Sequence, residues 1–299
     1  MKLIASSYQD SNQALSLFDV NIDAKQSKLL ASYPLTEPSF VITSGHLIFT
    51  YTKNPLKVLC LTLVNNCFVL IDEISVPLQT LTHLAYNKNN RTLYGASYKD
   101  GAIIKIDFKR ARLANLKVVN VGGKCHCVTL VNNDCLVTNI ANDKLYLFDK
   151  SLNLKKELQL DLNIGPRHTL YKNNALYFVT EYSNELYKIQ NDLVVGKVNT
   201  THSQTKSNCA TLLIDDLIYV SNRGEETISI FKDKGKLEYL YSYPTYGLHS
   251  RHMVFDLLKQ SIISFNKDSN NITFIDKSNG KLLLEFKFDK ASSGCIYEY

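Results

Sequence analysis

The segment HTLYKNNALYFVTEYSNELYKIQNDLVVGKV, residues 168–198, shows the structural repeat of this chain most clearly. It contains four runs of five to seven residues rich in β-branched and aromatic side chains, at 168–172, 175–181, 185–190 and 193–198. Asn, Asp and Ser occupy the gaps between the runs. Short runs separated by such turn residues are typical of antiparallel hairpins rather than helices. The stretch therefore predicts one four-stranded β-sheet, with strands a to d in chain order.

The strand b pattern of this stretch, LYFV at residue 176, recurs along the whole chain. Equivalent patterns start at residues 3, 47, 93, 135, 217 and 261, so successive units are 41 to 46 residues apart. The second unit is the least regular, with VLCLTL and CFVLIDEI in place of strands c and d. A period of this length indicates stacked supersecondary units. Seven units of four antiparallel strands predict an all-β, seven-bladed β-propeller.

The two ends of the chain predict how the ring closes. The first unit begins directly with strand b, KLIASSY, and has no strand a before it. The last residues, GCIYEY at 294–299, resemble a spare strand a. We expect this C-terminal strand to join blade one, because closure removes the exposed sheet edges. Since no linker or charge run interrupts the repeat, residues 1–299 are predicted to form a single β-propeller domain.

Composition narrows the classes of function. The chain of 299 residues has a formal net charge of +6, spread along the sequence, which argues against a nucleic-acid-binding stripe and fits a small anionic substrate. Most of its 7 cysteines lie inside apolar strand patterns, which predicts free thiols and a reducing compartment. No apolar run has the length of a signal peptide core or a membrane span. We therefore expect a cytoplasmic protein that does not bind membranes, either a monomer or a weak dimer.

The repeat also predicts where a site would lie. In an antiparallel pair, the start of strand a and the end of strand b lie at the same end of the hairpin. Because the inner strands of a propeller line its channel, polar side chains at these positions converge on one channel mouth. Charged and imidazole side chains at these positions are His83, His126, Arg167, His168, Glu181, Arg223, Arg251 and His252, with Asn222 beside them.

Buried charges are costly unless they are paired, so this set predicts a functional pocket. The alternative is a purely structural ion pair between Arg167 and Glu181 that holds one blade together.

Several motifs resemble those of the seven-bladed β-propeller lactonase family, which includes a 6-phosphogluconolactonase and a muconate cyclase. GPRHTLYKNNALYFVTEYSNELYKI at 165–189 is similar to the GPRH signature of the family, and DDLIYVSNRGEETISIF at 215–231 to its SNRG motif. Further similar segments are SSYQD at 6–10, LYGASYKDGAIIKID at 93–107 and FNKDSNNITFIDKSNGKL at 265–282. The resemblance spans the chain and implies hydrolysis of a sugar lactone, with 6-phosphogluconolactone as the expected substrate.

The active-site groups of that family, one His, two Arg and one Glu, fall on His126, Arg167, Arg223 and Glu181. The chain departs from the family at Lys124, which takes the place of the first His in a His-x-His start. Lactone hydrolysis passes through an oxyanion, which paired guanidinium groups stabilise well. We expect Arg167 and Arg223 to clamp the anion, His126 to act as base, and Glu181 to orient the clamp or serve as the alternative base. The expected substrate-binding residues are His168, Arg251, His252 and Asn222.

The sequence gives less support to a metal site, a cofactor or two alternative functions. Cys125, His126 and Cys127 alternate along a strand and so face opposite sides, which predicts no metal site, and no cofactor motif is present. A non-catalytic interaction propeller is one alternative, although the absence of Trp counts against the Trp-Asp type of scaffold. A lactonising isomerase similar to the muconate cyclase, acting on a dicarboxylate, is the other.

Overall fold

The computed structural model describes residues 1–202 and 208–297 of the chain. Within these ranges 28 β-strands form seven sheets, each of four antiparallel strands. No described residue lies in a helix, so this part of the chain has no helix long and apolar enough to cross a membrane. The all-β class and the seven four-stranded blades predicted from the repeat are confirmed.

Each blade consists of strands a to d, and the a strands of neighbouring blades contact one another around the ring. Blade one contains β28 (Ala291–Tyr297), β1 (Lys2–Ser7), β2 (Asp10–Asn21) and β3 (Gln26–Thr36). Blade two contains β4 (Ile42–Ser44), β5 (Leu47–Thr52), β6 (Lys57–Val64) and β7 (Cys67–Ser75). Blade three contains β8 (His83–Asn87), β9 (Thr92–Ser97), β10 (Ala102–Lys109) and β11 (Arg112–Asn120). Blade four contains β12 (Cys125–Val131), β13 (Asp134–Asn139), β14 (Lys144–Phe148) and β15 (Leu154–Gln159).

The remaining blades have the same order of strands. Blade five, which includes residues 168–198, contains β16 (Pro166–Lys172), β17 (Ala175–Thr180), β18 (Glu185–Gln190) and β19 (Leu193–Asn199). Blade six contains β20 (Asn208–Ile214), β21 (Ile218–Arg223), β22 (Thr227–Asp233) and β23 (Leu237–Pro244). Blade seven contains β24 (Ser250–Asp256), β25 (Ser261–Asn266), β26 (Asn271–Asp276) and β27 (Leu282–Lys287). Blade two is a complete sheet despite its irregular sequence, and its short element is β4 rather than the outer strands.

The ring closes at the seam between the two chain ends, as predicted. Strand β28 pairs with β1 in antiparallel register, from Lys2 opposite Tyr297 to Ser7 opposite Ala291. Gly294 allows the close approach, because a Cβ at this position would lie 2.5 Å from the carbonyl oxygen of Ile4. The predicted closing strand also included residues 298 and 299, which lie outside the described residues.

The hydrophobic core lies between the blades rather than at the centre of the ring. Seven clusters of buried apolar side chains each fill the space between two neighbouring blades. Phe49 of blade two meets Phe108 of blade three with ring centroids 5.6 Å apart, and Phe18 meets Phe286 across the seam at 5.0 Å. Because this packing stabilises the ring from outside the channel, the channel itself is available for polar side chains.

Candidate functional site

The predicted rim residues converge on one pocket at the channel mouth, with a volume of about 260 Å³. Its walls come from blades one to seven. The side chains that line it are Tyr8, Ser39, Lys53, Thr80, Leu81, Thr82, Tyr98, Lys99, His126, Arg167, Glu181, Arg223 and Arg251. A deeper extension adds Phe40, His168, His252 and Ser292. The structure therefore brings together seven of the eight residues predicted as catalytic or substrate-binding, the exception being Asn222.

One carboxylate joins two guanidinium groups at the centre of the charged side of the pocket. Glu181 Oε2 lies 2.9 Å from Arg167 Nε and 3.3 Å from Arg223 Nη2. Arg167 is only 2% exposed, and its Nη1 has no hydrogen-bond partner within residues 1–202 and 208–297. Two guanidinium groups with one carboxylate leave an excess positive charge, which a bound anion would balance.

Blade geometry explains why these groups meet. The backbone N–H groups of 163–165, just before β16, donate to the buried carboxylate of Asp143, and the Gly165 N–H does so at 2.7 Å. The Gly165 carbonyl accepts the Glu181 N–H at 2.7 Å. The Arg167 carbonyl accepts the Thr138 hydroxyl of blade four at 2.7 Å. These bonds fix the entry to β16, so the backbone positions of Arg167 and Glu181 are set before any substrate binds.

A β-bulge near the start of strand a changes which side chains face the channel. The register of β16 against β17 shifts between Pro166 and Thr169, and equivalent shifts occur in blades four, six and seven. A bulge re-aims side chains locally. Consecutive residues consequently line the same cavity, as Arg167 and His168 do. Side chains therefore do not strictly alternate between the two faces of the strand at these positions. The prediction that Cys125, His126 and Cys127 face opposite sides assumed such alternation.

Four imidazoles form a cluster at the pocket, and three of them, His126, His168 and His252, line it. The ring centroid of His168 lies 5.4 Å from that of His83, 5.1 Å from that of His126 and 6.4 Å from that of His252. Burial lowers the pKa of His83 to about 3 and of His252 to about 4. Burial, followed by the charge of Arg167, also lowers the pKa of His126 and His168 well below the ordinary value. All four imidazoles are therefore neutral at physiological pH.

The carboxylate and the guanidinium groups keep their charges. Burial raises the pKa of Glu181, but Arg167 and Arg223 outweigh it and hold the pKa below its ordinary value. Burial and the neighbouring Arg223 lower the pKa of Arg167 to about 9, so this guanidinium is still protonated at neutral pH. The charged side of the pocket is thus an ionised cluster with an excess of positive charge.

Asn222, predicted to bind substrate, does not line the pocket. Its amide Nδ2 donates to the Thr200 carbonyl at 3.0 Å and to Ser229 Oγ at 2.9 Å, inside blade six. Asn139 holds the equivalent position in blade four and likewise donates to a carbonyl, that of Gly122, at 2.8 Å. The Asn at this position is therefore structural in both blades, and the side chain of Asn222 tethers the chain near Thr200.

The seam side of the pocket holds side chains that sequence reasoning did not assign to the site. Tyr8, at the end of strand b in blade one, accepts a hydrogen bond from Arg251 Nη2 at 2.6 Å. Lys53 and Lys99 follow the strand b ends of blades two and three. The contact of Tyr8 with Arg251 crosses the closing seam, and no spacing along the sequence reveals it.

The structure contains one group of potential metal ligands within the described ranges. Ligand atoms of His83, Cys127 and His168 lie within 4.8 Å of one another. Cys127 is among them because the bulge in β12 alters the alternation. The positive charge of Arg167 acts to lower the pKa of all three side chains. The same charge opposes binding of a dication. The absence of a metal stays a prediction.

A larger cavity lies elsewhere, between blades four and five. It has a volume of about 380 Å³, and most of its lining is aliphatic, as at Leu136, Leu145 and Leu176. It includes none of the predicted site residues. The chemistry-bearing side chains therefore place the candidate site at the channel mouth rather than in the larger cavity.

The fold and the pocket define a class: a closed seven-bladed propeller with a pocket of excess positive charge at one channel mouth. The family described as "Lactonase, 7-bladed beta-propeller" matches residues 2–297. The chain belongs to this family.

Individual relatives are more distant. A 6-phosphogluconolactonase of Bacillus subtilis (strain 168) is 25% identical over 174 residues, which is 51% of this chain and 50% of that protein. The chain thus spans about half the length of the curated relative it matches. A putative 6-phosphogluconolactonase of Bacteroides fragilis superposes with a TM-score of 0.87 at 18% identity, covering 98% of this chain and 97% of the other. A periplasmic gluconolactonase of Pseudomonas aeruginosa gives 0.88 at 15% identity, covering 98% of both. At these identities the likeness concerns the fold.

Proposed function

We propose that the protein hydrolyses a sugar lactone at the channel mouth, with 6-phosphogluconolactone as substrate and 6-phosphogluconate as product. The observation that carries the proposal is the buried Arg167, which shares one carboxylate with Arg223 and has an unpartnered Nη1 within the described residues. A pocket of about 260 Å³ suits a single sugar rather than a polymer. Family membership and the name of the Bacillus subtilis relative support the same substrate class.

The pocket offers the lactone two kinds of contact. Arg167 and Arg223 are placed to stabilise the oxyanion that develops on the carbonyl oxygen, while Glu181 keeps both guanidinium groups oriented. Lys53, Lys99 and Arg251 lie in the same pocket and would receive a phosphate at the far end of the sugar. His126, His168 and His252 would contact the sugar as neutral imidazoles. The reaction needs only water and these side chains, with no cofactor.

The wider setting follows from the proposed substrate and the thiols. All seven cysteines are free, and five of them are buried. We propose a reducing, cytoplasmic location in carbohydrate metabolism, at the lactone step of the pentose phosphate pathway. The partner would be the small anionic lactone, rather than nucleic acid or a membrane, with the protein acting as a monomer or a weak dimer.

Measuring turnover of 6-phosphogluconolactone and of unphosphorylated gluconolactone tests the proposal. We expect both to be hydrolysed above their spontaneous rates, with the higher kcat/KM for the phosphorylated lactone. Thermal protection by 6-phosphogluconate should exceed that by gluconate. If neither lactone is hydrolysed and neither acid protects the protein, the proposal is wrong and an interaction propeller is favoured. Conversion of a carboxymuconate in place of the lactones would instead favour the lactonising isomerase.

A further inference from the structure

We propose that Tyr8 is the proton-transfer group of this site, acting as a phenolate base, an inference that rests on the lactone hydrolysis proposed above. Tyr8 lines the same pocket as His126 and Arg167. It lies on the seam side and belongs to blade one, whereas Arg167 and Glu181 belong to blade five. A substrate bound in this pocket would thus have the anion clamp on one side and the Tyr8 hydroxyl on another.

The surroundings of Tyr8 favour its charged form. Arg251 Nη2 donates to the phenol oxygen at 2.6 Å, and its guanidinium carbon lies 4.9 Å from the ring centroid. The ammonium groups of Lys53 and Lys267 lie 5.7 Å and 6.0 Å from the same centroid. Cations at this range stabilise a phenolate over a neutral phenol.

A chain of hydroxyl groups continues behind Tyr8. The Ser39 hydroxyl is a hydrogen-bond partner of the Tyr8 side chain, and it is also hydrogen-bonded to the hydroxyl of Tyr51. Burial raises the pKa of Tyr51, so its hydroxyl stays protonated and can donate. Ser292 of the closing strand fixes this arrangement by donating to the Ser39 carbonyl at 2.6 Å. The phenolate would therefore be supported by hydroxyl donors on one side and by Arg251 on the other.

The pKa of Tyr8 reflects these contacts. Burial raises it, but the charge of Arg251, followed by Ser39 and Arg167, outweighs burial and brings the pKa below the ordinary value of 10.0. The other charged or titratable groups that face Tyr8 through the pocket, its outer rim and the buried hydroxyl chain are Glu37, Tyr51, Lys53, Tyr98, Lys99, His126, His168, Glu181, Arg223, His252, Lys267, Asp268 and Lys290.

The two bases expected from the sequence are poorly matched to neutral pH. The pKa of His126 is lowered well below 6.5, and Arg167 and Arg223 hold the pKa of Glu181 below 4.5. Both groups are unprotonated at pH 7, but they accept a proton weakly. General base catalysis is most effective when the pKa lies near the working pH. The pKa of Tyr8 is shifted down toward this range, whereas the pKa values of His126 and Glu181 are shifted down and away from it.

The reaction balances with Tyr8 in this role. The phenolate oxygen takes one proton from water as the water oxygen bonds to the lactone carbonyl carbon. The resulting oxyanion lies against Arg167 and Arg223. The bond between that carbon and the ring oxygen then breaks, and the Tyr8 hydroxyl returns its proton to the departing alkoxide. Lactone and water become the hydroxy acid, with Tyr8 restored as phenolate.

The pH dependence of kcat/KM for 6-phosphogluconolactone in three proteins tests the assignment. A phenolate base predicts that activity rises with pH as Tyr8 loses its proton. Tyr8→Phe should lower kcat about 10²- to 10⁴-fold, with a much smaller change in KM, and should remove this rise. Ser39→Ala should move the rise to higher pH, because a hydroxyl donor to the phenolate is lost. Tyr171→Phe, in β16 with its hydroxyl on exposed Asn174, is the matched control and should match the wild type.

Titrating tyrosinate absorbance gives a readout that does not depend on turnover. The wild type should show one tyrosine that ionises before the others, and this tyrosine should be absent from folded Tyr8→Phe. Full turnover in Tyr8→Phe, or a rise in activity below pH 6.5 that Ser39→Ala leaves unmoved, would overturn this inference and favour His126. Absence of any turnover in the wild type would overturn the lactonase proposal, and the Tyr8 role with it.

Discussion

The two sides of the channel mouth are built differently, although both come from the same repeat. On the side of blades four to six, strand starts and ends carry His126, Arg167, Glu181 and Arg223. On the seam side, the corresponding parts of blades one and two carry hydroxyl groups, as at Tyr8 and Ser39, with the ammonium group of Lys53 in the same pocket. Under the proposed function, the charged side would hold and polarise an anion, and the seam side would move a proton. One repeated framework would then supply two complementary roles.

The seam side owes its character to ring closure. Ser293 of β28 is hydrogen-bonded to Ser6 of β1, with the two Oγ atoms 3.0 Å apart, and accepts the Val41 N–H at 3.1 Å. Hydroxyl groups therefore join the two ends of the chain where the other blades have continuous backbone. The charged side needs no such joint. The bulge near the start of strand a is common to both sides, because the register of β1 against β28 also shifts, between Ser6 and Ser7.

Loss of Arg167 should have the largest effect on the charged side. Arg167→Met removes a buried donor to the oxyanion, and we expect kcat/KM to fall by about 10³-fold or more. Steady-state kinetics on 6-phosphogluconolactone measure the change. Arg112→Met, at a side chain that is 79% exposed, is the control and should leave turnover unchanged. A folded Arg167→Met variant with wild-type kinetics would show that the charged side takes no part in catalysis.

Glu181→Gln tests how much the ion pairs of Glu181 with Arg167 and Arg223 contribute to the free energy of unfolding. The change leaves two buried guanidinium groups without their shared carboxylate, and we expect the free energy of unfolding to fall by about 3 kcal/mol. Urea denaturation with and without phosphate measures this, and phosphate should restore more stability to the variant than to the wild type. Equal stability of the two proteins would mean that the ion pairs contribute nothing to folding.

The buried imidazoles of the pocket predict that the free energy of unfolding depends on pH. His126 and His168 are held neutral by burial, whereas in the unfolded chain they bind protons below about pH 6.5. The unfolded state therefore gains protons as pH falls, and stability decreases from pH 7 to pH 5 by about 2 kcal/mol for each such imidazole.

Substituting one of these imidazoles tests that account. His168→Gln should reduce the loss of unfolding free energy between pH 7 and pH 5, measured by urea denaturation at each pH. His46→Gln, at an exposed turn, should follow the wild type. A His168→Gln variant with the wild-type pH dependence would show that this imidazole is not held neutral.

The smallest effect is expected at Asn222, which lies beside the charged side without facing the pocket. Its amide donates within blade six, so Asn222→Ala should lower the free energy of unfolding by about 1–2 kcal/mol. The KM for the lactone should stay unchanged, as kinetics on the folded variant would show. A raised KM with unchanged stability would return Asn222 to the substrate-binding residues.

The difference between the two sides also explains what the sequence could and could not predict. The blades, the closing strand and the meeting of Arg167, Glu181 and Arg223 follow from aligned repeats, because equivalent positions in a propeller share one height along the channel. Asn222 was predicted to face the pocket but does not. The repeat gives the height of a residue along the channel but not the direction of its side chain. The pairing of Tyr8 with Arg251 could not be foreseen, since it depends on geometry across the seam.

Turnover of 6-phosphogluconolactone by the wild type and by Arg223→Ala, followed by ³¹P nuclear magnetic resonance, tests whether the charged side of the pocket catalyses lactone hydrolysis. Arg223 lies 3.3 Å from Glu181 on the charged side and is expected to stabilise the oxyanion. We expect hydrolysis above the spontaneous rate in the wild type and a loss of about 10²- to 10³-fold in kcat/KM in the folded variant. Unchanged turnover in folded Arg223→Ala would contradict this expectation.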